Sequence, residues 1–156
     1  MNNRRSFQLM ILTLTLTSAC ASVPRADGGG LTEEARIPVT DFRVGDCFDD
    51  PEALEIEDVA GLPCNVPHDN EVYAIFDHDG TDQSWPGVDA LDEYSYLSCV
   101  DRFTDYVGAD YIDSRLEVSF LSPLEAGWID GDREIVCFVF DLELAKLTES
   151  MRNSGE

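Results

Sequence analysis

The chain has 156 residues, with 32 acidic and 10 basic side chains and a formal charge of −22. That length fits one domain of ordinary size with a leader left over, and 44% apolar residues suffice for a core. The charge excludes nucleic acid as an expected partner, because gripping a polyanion needs Lys and Arg, and Lys146 is the single lysine.

Residues 1–19 have the parts of an export signal. Arg4 and Arg5 form a charged start, Leu9 to Leu16 an apolar run, and Thr17-Ser18-Ala19 a small-residue cleavage site. The apolar run is far short of the roughly 20 residues a membrane span requires. Cys20 follows directly, and a small-residue triplet ending in cysteine resembles the lipobox of bacterial lipoproteins. That resemblance implies a diacylglyceryl group on Cys20 and an extracytoplasmic protein anchored to the outer face of the cell membrane. Arg4-Arg5-Ser6-Phe7 also resembles a twin-arginine signal, so the export route stays open.

Ala21 to Thr40 shows no sustained apolar periodicity and carries Gly28-Gly29-Gly30, Pro24 and Pro38. It reads as a flexible tether, placing the domain on the order of 25 Å from the bilayer. Phe42-Arg43-Val44 is a short extended start, Gly45-Asp46 a turn into Cys47-Phe48, and Ile56 to Val59 a second short extended piece. Glu71 to Phe76 alternates as a strand, and Asp77 to Gly87 reads as a loop. A helix follows, with Asp89 as N-cap, Tyr96, Cys99, Val100, Phe103 and Val107 on one face, and Gly108 as terminator. Leu116 to Phe120 alternates as a strand, Pro123 to Asp132 is a loop holding Trp128, and Glu134 to Phe140 is a near-continuous apolar strand. The predicted fold is α+β: a small antiparallel sheet packed on one main helix.

With Cys20 set aside, four cysteines remain, and an oxidising compartment makes two disulfides the expectation. Three connectivities are possible. Cys47–Cys64 and Cys99–Cys137 are favoured, the latter joining an inner helical face to a buried strand, each worth roughly 3 to 4 kcal/mol by chain entropy.

Taken together, several blocks resemble the septum-formation domain family of actinobacterial envelope proteins. They are Val44-Gly45-Asp46-Cys47-Phe48; Pro63-Cys64 with Pro67-His68-Asp69 and Glu71-Val72-Tyr73-Ala74; and Trp85-Pro86-Gly87. Cys99, Phe103, Tyr106, Val107 and Gly108 continue the series, then Trp128, Gly131-Asp132-Arg133, Val136 and Cys137, and finally Leu147-Thr148, Ser150 and Ser154-Gly155. The resemblance implies a septum-formation-like domain over residues 41–156, after a lipidated cysteine and tether over 20–40. It implies a role near the division site, with an envelope or division protein as partner, and it carries no catalytic residues.

Among polar candidates, His68 has Asp69 and Glu71 one and three residues away, a grouping suited to a metal site or a tuned acid or base. The plainer expectation is that His68 hydrogen-bonds a turn leading from Cys64 into the strand. His78 sits in an acidic loop whose glycine falls at the wrong position for an EF-hand. Trp85 and Trp128 could anchor a partner if exposed, although packing over a disulfide is the plainer expectation. No hydrolase or nucleotide fingerprint is present, and no cofactor or resident metal is expected. The acidity would repel anionic surfaces and attract basic proteins, or reflect a saline habitat. The expectation is therefore a non-enzymatic interaction module; the alternative is a solute- or divalent-cation-binding lipoprotein.

Overall fold

The computed structural model describes residues 23–27, 29–51, 56–80 and 84–156. The expected signal peptide and Cys20 lie outside the described residues. The elements are β1 (Ala35–Pro38), β2 (Cys47–Phe48), β3 (Asp58–Leu62), β4 (Asn70–Asp77), α1 (Val88–Val107), β5 (Leu116–Leu121), α2 (Glu125–Ile129) and β6 (Glu134–Asp141). The strands form one six-stranded sheet in the order β1-β3-β2-β4-β6-β5, every neighbouring pair antiparallel. The α+β reading holds, and among the described residues no helix is long and apolar enough to cross a membrane.

Strand β6 explains the layering. Ile135, Cys137 and Val139 join the core under α1, while Val136 and Phe138 belong to a second apolar cluster on the other face. A strand buried on both faces reads as a continuous apolar run, and 135–140 does. In β4 the register shifts between Val72 and Ala74, so Tyr73 and Ala74 both serve the helix side while Val72 and Ile75 serve the other.

Helix α1 buries Leu91, Ser95, Cys99, Phe103, Tyr106 and Val107. The expected face is correct from Cys99 onward. Tyr96 departs from it, being 40% exposed, because the stripe runs through Ser95 instead. Gly87, not Asp89, occupies the N-cap, which leaves Asp89 in the first turn, where its charge still suits the positive helix end. Gly108 terminates the helix in the left-handed conformation, its N–H donating to the Thr104 carbonyl at 2.9 Å. The loop expected from Pro123 to Asp132 contains the short helix α2, and the extended piece expected from Ile56 begins only at Asp58.

Both favoured disulfides form. Cys47 of β2 joins Cys64 after β3, and Cys99 of α1 joins Cys137 of β6.

The larger departure concerns the tether. Described residues between Val23 and Thr40 pack on the domain: β1 pairs with β3, and Leu31 and Ile37 are buried. Gly29 and Gly30 make a turn, not a linker, with φ values of +99° and +77°. Gly61 supplies the receiving slot, where a Cβ would stand 2.4 Å from Ile37 Cδ1 and 2.9 Å from Leu31 Cδ2. The Arg25 guanidinium completes the docking through paired bonds of 2.9 and 2.8 Å to the fully buried Asp46 carboxylate. The Arg43 N–H gives Asp46 a further donor at 2.9 Å, so this interior charge is paired and hydrogen-bonded.

Candidate functional site

His68 lies at the head of β4, fully buried. Its N–H donates to the Leu147 carbonyl at 3.0 Å, and its own carbonyl accepts the Leu147 N–H at 2.9 Å. Nδ1 is 2.7 Å from the Val66 carbonyl, which fixes the Nδ1–H tautomer and ties the ring to the preceding turn. Nε2 is buried with no hydrogen-bond partner. This is the geometry of a turn-holding histidine.

Asp69 points elsewhere. Its carboxylate accepts the Asp50 N–H at 3.0 Å and the Lys146 ammonium at 2.8 Å, so the only lysine bridges Asp69 and Asp49. Partial burial alone would raise its pKa, but the Lys146 ammonium and the Asp50 N–H outweigh that and hold it below the ordinary value.

Glu71 is wholly committed to its own chain. It is fully buried, and its carboxylate accepts Tyr106 Oη, Ser150 Oγ and the Met151 N–H, each at 2.6 Å. Three short donors replace the water a buried carboxylate would lose. They also clamp the C-terminal tail to β4. Burial raises the Tyr106 pKa, and the Glu71 charge raises it further. Glu71 also lies with Cys47 and Cys64 in a group whose potential metal-ligand atoms fall within 4.8 Å of one another. Both sulfurs are spent in the disulfide.

His68, Asp69 and Glu71 therefore do not converge on one site. Trp85 and Trp128 do meet, with ring centroids 5.7 Å apart. Trp128 is buried, with the Arg133 guanidinium 3.7 Å over its ring and His78 5.1 Å away. His78 packs against Tyr94 with ring centroids 4.1 Å apart and accepts the Gly80 N–H, so it secures its own loop.

A cavity of about 330 Å³ on the face of the sheet opposite α1 was not among the expected features. Phe48, Leu121, Phe138, Phe140 and Leu144 line it, with Asp50, Asp69 and Asp141 among the surrounding side chains. A signal for it existed. Phe138 and Phe140 alternate with Cys137 and Val139, so an apolar run on β6 already required a second apolar surface.

The family model described as septum formation matches residues 44–154, more than two thirds of the chain. The chain belongs to the septum-formation family. Comparison with curated proteins gives no match, and comparison with solved structures gives none. Within this septum-formation domain, the residues that carry the family resemblance build the fold. Asp46 receives Arg25, Cys47–Cys64 ties β2 to the end of β3, Cys99–Cys137 bridges helix and sheet, and Glu71 holds Tyr106 and Ser150.

Proposed function

We propose that this septum-formation protein is exported, anchored through a diacylglyceryl group on Cys20 to the outer face of the cell membrane, and acts there by binding an envelope or division protein. One observation carries the non-enzymatic part. His68 and Glu71, the strongest candidates for chemistry, are fully buried and committed to the protein's own turn and tail. A divalent-cation role has less support, because the sulfurs beside Glu71 are bonded to each other and Asp69 is held by Lys146.

Anchorage is tested by Cys20→Ser, which should move the protein into the soluble exported fraction, since a diacyl group supplies the two chains lasting attachment needs. Retention of that variant on washed membranes would refute anchorage at Cys20. The binding role is tested by assaying ester and wall-polymer hydrolysis. Turnover by the parent that a folded His68→Ala variant loses would replace the binding role with an enzymatic one.

A further inference from the structure

The cavity on the face opposite α1 has features that point to an occupant. Its floor is aromatic: Phe48 and Phe138 meet edge to face at 5.4 Å, and Phe140 continues the same face of β6. Its volume of about 330 Å³ is at the low end of ligand sites, enough for one or two side chains and too little for a large cofactor.

Leu144 at its edge is unusual twice over. It is 78% exposed, and it has φ of +59°, a conformation that leucine adopts only under strain. The turn behind it is pinned: the Leu144 N–H donates to the Asp141 carbonyl, the Glu143 N–H donates to the Asp141 carboxylate, and Arg115 pairs with that carboxylate. The fold thus holds an apolar side chain in water in a backbone state it disfavours. At 78% exposure its side chain gains little from burial to set against that cost.

Charge narrows the choice further. Asp50, Asp69 and Asp141 line the cavity, and Lys146 joins Asp69 to Asp49, so among these described residues four carboxylates stand with two cations, Lys146 and Arg115. The chain as a whole carries −22. An acyl chain bearing a phosphate headgroup would bring negative charge onto these carboxylates. A basic segment would be drawn in.

We propose that this cavity receives a peptide segment of a partner protein that presents one bulky apolar side chain beside lysine or arginine. The site deepens the binding role proposed above and rests on it. Its test needs no membrane, so its failure is distinguishable from a failure of anchorage.

The experiment uses the exported chain carrying Cys20→Ser, titrated by NMR with two short peptides that share a central Phe, one flanked by lysines and one by glutamates. The lysine peptide should shift the signals of Phe48, Leu121, Phe138 and Ala145 and bind at least about tenfold more tightly than the glutamate peptide at low salt. Screening at about 0.5 M NaCl should remove most of that preference.

Leu144→Asn provides the discriminating variant, because asparagine tolerates a positive φ. It should raise the thermal midpoint by about 1 or 2 °C yet weaken the lysine peptide by about fivefold or more. Equal binding of both peptides, or binding of neither, overturns the proposal. So does occupation by a fatty acid in place of the peptide, or a concentration-dependent dimer that Leu144→Asn abolishes. A variant that gains stability without losing affinity overturns the role given to Leu144.

Discussion

At the scale of single residues, buried charge decides where this molecule is sensitive. Glu71 accepts three donors and presents none, so Glu71→Gln would turn an amide NH2 toward a tyrosine hydroxyl, a serine hydroxyl or a backbone N–H. Losing charge-assisted bonds in a dry site should cost about 2 kcal/mol in urea unfolding, and the Met151 amide should lose protection from hydrogen exchange. Unchanged protection would mean the tail is held by Leu147 and Met151 packing alone. Two exposed or half-exposed carboxylates should respond to pH with opposite signs. Asp69 has a depressed pKa, so its contribution is present above the ordinary carboxylate range and lost as pH falls through the folded value. Glu134 has a raised one, because of partial burial and then the nearby Asp132 and Asp77 charges, so its ionisation opposes folding at neutral pH. Asp69→Asn should therefore destabilise and Glu134→Gln stabilise at pH 7, each by about 0.5 kcal/mol. Both differences should shrink as melts are carried down through the carboxylate range, that of Asp69 persisting to lower pH than that of Glu134. The same sign for both variants would refute this assignment.

At the scale of elements, the N-terminal segment shows how far sequence patterns reach. β4, β5, β6 and α1 were legible because each is long enough for its period to register, and Gly108 marked the helix end by a conformation few residues adopt. β1 was not legible. It has four residues, only Ile37 is fully buried, and its neighbours are glycines and prolines whose composition is that of a linker. What makes it a strand is Gly61, distant in sequence, which leaves the space that Ile37 and Leu31 fill. His68 was legible as a turn residue, and the alternation on β6 signalled an apolar surface opposite α1, whereas the cavity there depends on how Phe42, Phe48 and Phe138 meet, which no single segment displays. Gly61→Ala tests this directly. A methyl group placed 2.4 Å from Ile37 Cδ1 must push β1 outward, at a cost of about 1 to 3 kcal/mol. Amide exchange should accelerate across residues 31–37 and stay slow in α1. Slow exchange at both places would mean that Ile37 adapts within its pocket and that docking does not depend on this slot.

At the scale of the whole molecule, two electrostatic effects oppose each other under added salt. Arg36–Asp58, Arg115 with Asp141 and Glu156, and Lys146 with Asp49 and Asp69 involve cations 45% or more exposed, and screening weakens them. The Arg25–Asp46 pair has 5% and 0% exposure, so salt hardly reaches it. Against those few surface pairs stands the mutual repulsion of 32 carboxylates with only 10 cations to offset them. Surface pairs are each worth about 0.2 to 1 kcal/mol, whereas self-repulsion acts on every excess charge at once and reaches about 10 Å at 0.1 M salt. Repulsion should win. The thermal midpoint should therefore rise by about 4 °C between roughly 20 mM and 500 mM NaCl, corresponding to about 1 kcal/mol. Guanidinium-free salts with other weakly interacting ions should give the same rise at equal ionic strength, since screening depends on charge and concentration alone. A flat or falling midpoint would show that local ion pairs govern stability. The excess of carboxylates would then matter for what the surface attracts and repels, not for how the domain holds together.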